Sequence, residues 1–338
     1  MAPLLEVRDL KKYFAGRSGI FGGPAKKTVR AVDGVSFTVD QGETLGLVGE
    51  SGCGKSTLVK TLLYLEVPTG GEVYYDGRRL TEKEARQLRR RAQIVFQDPY
   101  TSLPPRMRVR DIIADPLLIH RLADRRSVRQ RVNQLLEDVG LQPETADQYP
   151  HQFSGGMRQR VGIARALSVQ PTLVVADEAV SALDVSVQAQ ILNLFKDLQE
   201  RHALTYIFVS HDLGVVKYMS HRIAVMYLGE IVELAATEEL HARPLNPYTR
   251  ALLSAIPSIH EDGRERIRLE GEPPDPGNPP PGCKFHPRCP IAQELCSQEA
   301  PQLKEWLPGH PVACHFALTE SGLKEGISAK RPRKETKA

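Results

Sequence analysis

The chain has 338 residues, 41% of them apolar and 25% charged, a balance that supports a large buried core and excludes wholesale disorder. Forty-five Lys and Arg against 41 Asp and Glu leave a net charge of +4, too mild to argue for nucleic acid as a partner. No apolar run approaches the roughly 18 residues that a bilayer span needs. The start of the chain carries Glu6 and Arg8 and lacks a signal-peptide core. The expectation is a cytosolic protein of about two domains that meets a membrane only through a partner.

Residues 4–10 alternate loosely and read as an edge strand. Tyr13 and Phe14 follow, and Gly16 to Lys27 reads as a basic, glycine-rich loop insertion. Val35–Val39 alternates as a strand, and Asp40–Glu43 turns the chain into the apolar run Thr44–Val48. Then comes Gly49-Glu50-Ser51-Gly52-Cys53-Gly54-Lys55-Ser56, with Thr57 opening a helical pattern. This is the G-x-x-x-x-G-K-S phosphate loop in its required setting, strand before and helix after. Its glycines let successive N–H groups face phosphate oxygens, and the helix start adds partial positive charge. Lys55 is expected on the β- and γ-phosphates of ATP and the Ser56 hydroxyl on Mg²⁺.

Glu72–Gly77 reads as a strand and its turn, residues 82–91 as a charged helix, and Ile94–Phe96 as a short strand ending at Gln97. The texture then changes. Pro99, Pro104, Pro105 and Pro116 break the early part, after which Val128, Val132, Leu135, Leu136 and Val139 recur at helical steps and Gly140 is placed as a stop. A second helix is expected from Gly155 to Val169, opening at Ser154-Gly155-Gly156. Leu173–Ala176 is a buried strand that exits at Asp177-Glu178. An amphipathic helix covers 187–199, Tyr206–Val209 is a strand ending at Ser210-His211, and Ile223–Tyr227 pairs with Ile231–Leu234 as a hairpin. Short helices follow, then a proline-rich linker over 257–282, then Cys283, Cys289, Cys296 and Cys314 within one short stretch. The basic residues from Gly326 to Ala338 are expected to be disordered.

Strands alternating with helices imply an α/β fold on a mixed sheet core, with the phosphate loop at a strand's C-terminal end. Asp177 ends an apolar strand as a Walker B acid does, able to orient Mg²⁺ through water, and Glu178 can polarise the attacking water. A Gln after a strand is ordinarily a solvated turn and a strand-end His an ordinary polar residue; it is their order here that gives Gln97 and His211 weight.

Over about residues 5–255 the chain resembles the ATP-binding subunit of an ABC transporter. Phe153-Ser154-Gly155-Gly156-Met157 looks like the signature motif, Ser181-Ala182-Leu183-Asp184 like the D-loop, Gln97 like the Q-loop residue and His211 like the switch histidine. Phe14, or its neighbour Tyr13, suits the aromatic that stacks on adenine. The resemblance implies that Glu178, His211 and Gln97 act in catalysis, that Ser56 and Gln97 hold Mg²⁺, and that Ser154, Gly155, Gly156, Met157 and Asp184 serve the ATP of an opposite subunit. Met157 stands where the family usually has Gln, and Ala179 where Pro is common. Phosphate binding by Ser154 and backbone N–H groups is expected to survive the first change. The implied organisation is an ATPase domain over 1–256 with a helical subdomain at 98–165, a cysteine-containing module at 257–325, and a basic tail at 326–338.

Pro244–Pro257 and Pro280–Pro290 resemble the C-terminal part of ATPases from dipeptide and oligopeptide importers. Nickel importers look similar. The resemblance implies a peripheral protein at the cytoplasmic face of the membrane, a homologous second ATPase subunit, two transmembrane permeases and an extracytoplasmic peptide-binding protein. Four cysteines in a reducing compartment argue against disulfides. Zinc and an iron–sulfur cluster both suit four thiolates, but the spacing lacks zinc's tight pairs. Some relatives in the resembled family are associated with a [4Fe-4S] cluster at such a module. His286, His310 and His315 are candidate substitute ligands, with a structural role their more ordinary reading. A soluble ABC-type ATPase acting on nucleic acid or ribosomes would carry two ATPase units or a long coiled coil, and neither is present. A non-catalytic regulatory subunit sits poorly with intact Lys55, Glu178 and His211.

Overall fold

The computed structural model describes residues 2–15, 28–98, 102–255 and 267–317. The expected loop insertion at 16–27, the first part of the linker and the basic tail lie outside them. Strands β1 (Leu5–Phe14), β2 (Val29–Val39) and β3 (Thr44–Val48) precede helix α1 (Lys55–Leu62). Then come β4 (Gly70–Tyr75), β5 (Arg78–Arg79), α2 (Glu82–Arg91) and β6 (Ala92–Val95). Helices α3 (Val109–Ile119), α4 (Val128–Asp138) and α5 (Gly155–Leu167) follow. The order continues through β7 (Leu173–Asp177), α6 (Val185–His202), β8 (Thr205–Val209), α7 (Leu213–Met219), β9 (Arg222–Tyr227) and β10 (Glu230–Ala236). Short helices α8 (Thr237–Ala242), α9 (Pro247–Ser254) and α10 (Glu294–Gln298) lead to a final hairpin, β11 (Leu303–Leu307) and β12 (His310–Ala313).

Two sheets result. The larger runs β11-β12-β10-β9-β3-β8-β7-β6, parallel from β9 to β6 and antiparallel from β9 outward. Its parallel strands β3, β7 and β8 are buried at every residue, which is why they read as unbroken apolar runs rather than alternating ones. The smaller sheet is antiparallel, in the order β2-β1-β4-β5. β1 is therefore interior, not the expected edge strand: Leu5 faces Val39 on one side and Tyr75 on the other. Helix α1 packs against β1, β2 and β7, and its Leu58, Val59 and Leu62 are buried in the core it shares with the smaller sheet.

A separate cluster joins the helical region to the main sheet. Val109, Ile112, Ile113 and Leu117 of α3 meet Val132 and Leu136 of α4. Pro116, expected to break the chain, sits inside α3. Proline removes one backbone bond, and the fully apolar stripe on the same helix offsets that loss by burial. α4 stops where Gly140 takes φ +70°, a left-handed turn that suits glycine.

The C-terminal residues are woven into the main sheet. β12 pairs with β10, Glu233 opposite Val312. The Glu233 carboxylate is fully buried. It accepts the N–H groups of Leu245 (2.7 Å) and Asn246 (3.1 Å) and lies 2.7 Å from His310 Nε2. Asn246 Nδ2 donates to the carbonyls of Val232 and Ala313. A carboxylate buried this deeply is tolerable only with all these partners. Glu233→Ala leaves the two N–H groups and His310 unpaired in a dry site, and it is expected to lower unfolding free energy by about 3–5 kcal/mol. Urea titration checks this; a loss below roughly 1 kcal/mol would make the contact dispensable.

Candidate functional site

Ligands in open parallel sheets gather beyond the C-terminal ends of the strands. Register brings four such ends together. Leu47 of β3 pairs with Val209 of β8, Asp177 of β7 also pairs with Val209, and Val95 of β6 pairs with Ala176. The residues just beyond are the phosphate loop after Val48, Glu178 after Asp177, His211 after Val209 and Gln97 after Val95. Gln97 and His211 are exposed, as are Ser51, Gly52 and Ser56, so this edge opens on the surface.

The phosphate loop is shaped by its glycines. Gly54 has φ +110°, and a Cβ there would lie 2.1 Å from the Ala31 carbonyl oxygen; one at Gly49 would lie 2.2 Å from that of Met226. No side chain fits either place. Lys55, buried at the start of α1, donates to the carbonyls of Gly49 (2.8 Å) and Glu50 (3.1 Å) and lies 3.8 Å from Cys53 Sγ. The Ser56 hydroxyl donates to Asp177 Oδ1 at 3.1 Å, so the two expected Mg²⁺ groups already face each other. Burial is the main influence on Asp177 and raises its carboxyl above the ordinary range, against the Ser56 hydrogen bond. Thr57 is half-buried on α1.

Glu178 takes φ +50°, a left-handed conformation uncommon for a side chain of its size. Its N–H bonds the Val209 carbonyl, and its own carbonyl accepts from the N–H and hydroxyl of Ser181. Ala179 and Val180 are buried behind it. The turn delivers Glu178 Oε2 to 3.4 Å from His211 Nδ1. The two aromatics expected near adenine sit differently. The Tyr13 hydroxyl donates to Asp33 at 2.5 Å, whereas Phe14 is 38% exposed, with Lys12 Nζ 4.9 Å from its ring centroid.

Ser154 caps α5: its Oγ accepts the Met157 N–H at 3.4 Å. Gly156 is closely packed, since a Cβ there would come within 2.4 Å of Val187. Ser154 and Asp184 are exposed, while Met157 rests partly buried on the helical core. These groups stand at the start of α5, where backbone N–H groups and the helix dipole suit an anion.

The four cysteines line one small cavity of about 30 Å³, together with Ile291 and Phe316. None is in a disulfide. Burial pushes the thiols of Cys289 and Cys314 up to about 12 and raises that of Cys283. The three histidines are engaged elsewhere: His286 with the Cys283 carbonyl, His315 with that of Glu299, and His310 with Glu233. Among the described residues no three His, Cys, Asp or Glu side chains converge closely enough to hold a single metal ion.

Some neighbours of the phosphate loop carry no signal in the sequence. Arg288 makes a two-pronged ion pair with Glu50, the Tyr248 hydroxyl accepts the Glu50 N–H at 2.9 Å, and Lys284 reaches Asp33 at 2.9 Å. Each contact spans about 200 residues or more of chain, so no local pattern marks it.

Comparison with known proteins gives concordant results. The family model described as "ABC transporter" matches residues 32–181, and "Oligopeptide/dipeptide transporter, C-terminal region" matches 232–296. The chain is 52% identical to the oligopeptide transport ATP-binding protein AppF of Bacillus subtilis, over 93% of this chain and 97% of that one. It is 49% identical to the di/tripeptide transport ATP-binding protein DppF of Pseudomonas aeruginosa, over 94% and 98%. A solved ATP-binding cassette, dimeric in a post-hydrolysis state with ADP and Pi, aligns with TM-score 0.60 and 29% identity, covering 69% of this chain and 98% of its own. No helix among the described residues is long and apolar enough to cross a membrane.

The raised carboxyl of Asp177 has a measurable consequence. Above the ordinary carboxylate range its charge destabilises the folded protein; as pH falls toward that range the folded form takes up the proton first and the cost fades. In the free protein Asp177→Asn is expected to raise Tm by a few degrees at about pH 7.5, with the gain shrinking toward about pH 4. A lower Tm at the higher pH would contradict the desolvation argument.

Proposed function

Because the chain belongs to the ABC transporter ATP-binding proteins of the oligopeptide/dipeptide type, we propose that it is the ATPase that powers import of di- or oligopeptides across the cell membrane. The observation that carries the ATPase reading is the single edge that holds the phosphate loop, the Ser56–Asp177 contact and the Glu178–His211 pair. The peptide cargo rests on the matched C-terminal region and on the relatives named for peptides. The chain works at the inner membrane face through two permease subunits fed by a peptide-binding protein, beside a homologous ATPase subunit.

In this reading Phe14 stacks on adenine, since Tyr13 is committed to Asp33. Lys55 exchanges its loop carbonyls for the β- and γ-phosphate oxygens, and the loop N–H groups of Gly49 to Thr57 complete the cradle. Ser56 and Gln97 would hold Mg²⁺ directly and Asp177 through water; the ion supplies charge neutralisation across the phosphates. Glu178 takes a proton from the attacking water, and His211 contacts the γ-phosphate and steadies Glu178. Ser154, Gly155, Gly156 and Met157, with Asp184, face the nucleotide of the opposite subunit. The exposure of Ser154 and Asp184 supports this, because half-sites meant for a partner's ligand must be open. Two ATP molecules then close the dimer, hydrolysis reopens it, and the helical region passes the motion to the permease.

For the cysteines we propose a [4Fe-4S] cluster held by Cys283, Cys289, Cys296 and Cys314. All four thiols border one cavity, and a cluster takes each thiolate on a different iron. The spacing of the four cysteines lacks the tight pairs usual at zinc sites. The cluster would supply the positive charge that lets these buried thiols ionise.

Glu178→Gln is expected to slow steady-state ATP turnover of the assembled transporter by roughly 10²–10⁴-fold while ATP binding persists and closed dimers accumulate. Unchanged turnover would remove Glu178 from its role. Protein purified without oxygen is expected to be brown and to lose its colour in Cys289→Ser; colourless protein with stoichiometric zinc would replace the cluster by zinc.

A further inference from the structure

The segment from Cys283 to Cys289 reaches the nucleotide site at two points. Arg288 Nη1 lies 2.7 Å from Glu50 Oε2, and Nη2 lies 3.0 Å from Oε1. The guanidinium side chain is only 6% exposed. Parallel, charge-assisted bonds of this kind are strong and fix orientation. The Glu50 hydrogen bonds raise the pKa of Arg288 further, so it stays charged. The Glu50 N–H is held by the Tyr248 hydroxyl, and its carbonyl by Lys55. Phe285 packs edge-on against Tyr227 and beside Tyr248, with ring centroids 5.3 Å away in each case, which keeps the segment in place. At its other end Lys284 Nζ lies 2.9 Å from both Asp33 and Glu230 and donates to the Leu228 carbonyl. Asp33 is the acceptor of the Tyr13 hydroxyl, on the strand that carries Phe14.

Glu50 poses an electrostatic problem. It is the second residue of an anion-binding loop, and a free carboxylate there repels a triphosphate. At a partly buried site an unpaired charge is screened less than in bulk water, so the repulsion weakens phosphate binding. Arg288 cancels that charge and pins the carboxylate to the C-terminal module.

We propose that Arg288 is a positioning residue of the nucleotide site: it masks Glu50 and holds the phosphate loop in its binding shape, with Lys284 doing the same for the Asp33–Tyr13 side. The proposal rests on the ATP reading of the loop and adds to it a role for the cysteine-framed segment. That segment is then a brace of the nucleotide site.

The test measures equilibrium ATP binding to the full-length chain, and kcat and KM for ATP in the assembled transporter. Variants are Arg288→Met, Arg288→Lys, Glu50→Gln and the double variant Arg288→Met with Glu50→Gln. Arg288→Met is expected to raise Kd and KM for ATP roughly 5- to 20-fold, with kcat changed less than about twofold. Arg288→Lys recovers part of the loss, since it keeps charge but not the fork. The double variant binds ATP more tightly than Arg288→Met alone, because the unmasked charge is gone. A Kd for Arg288→Met equal to that of the unaltered chain, or a double variant no better than the single one, overturns the inference. Should the unaltered chain itself not bind ATP, the ATP reading fails instead. Glu50→Gln reaches the same pair from the loop side, so the comparison stands even if Arg288→Met folds poorly.

Discussion

Everything at the candidate site depends on parallel strands ending level with one another. Backbone hydrogen bonds set the register of β3, β8, β7 and β6, and register decides which residues leave the sheet side by side. A slip of one residue would turn every side chain to the other face and separate Glu178 from His211. β3, β7 and β8 are buried throughout, so the register is held by the packing of both sheet faces. The chemistry needs acids, a histidine and a glycine loop at one edge, and the rigid sheet supplies their spacing while the loops supply the groups.

Much of this was legible in the residues. The phosphate loop, the acid pair after an apolar strand and the Ser-Gly-Gly helix cap each have a physical meaning that survives without coordinates, and the relatives agree on the family. Continuous apolar runs marked β3, β7 and β8 because strands buried on both faces have no polar side to show. Periodicity reports burial along one strand and is silent on its neighbours. That is why β1 read as an edge although it lies between β2 and β4, and why Pro116 read as a break although tertiary packing keeps it in a helix. Nor could the sequence separate Tyr13 from Phe14: it is Asp33, twenty residues away, that engages the Tyr13 hydroxyl.

The C-terminal residues were the least legible. A proline-rich stretch and four cysteines suggested a separate module, which borders one small cavity together with Tyr227, Val232 and Asn246. Yet it shares the main sheet through β12, shares a buried carboxylate through Glu233, and shares an aromatic cluster through Phe285. The partners in each case are polar or aromatic residues widely separated in sequence, and such pairings leave no periodic trace. Cysteines frame this short loop, and its cations Lys284 and Arg288 reach outward to Asp33 and Glu50.

The Arg288–Glu50 pair closes a loop of 238 residues. On the ribosome the phosphate loop emerges early, long before its brace exists, and β12, the strand that covers β10, is translated later still. A newborn or prematurely terminated chain thus carries an intact nucleotide motif in an unsupported frame. A chain that stops before Arg288 therefore keeps Glu50 without its guanidinium partner.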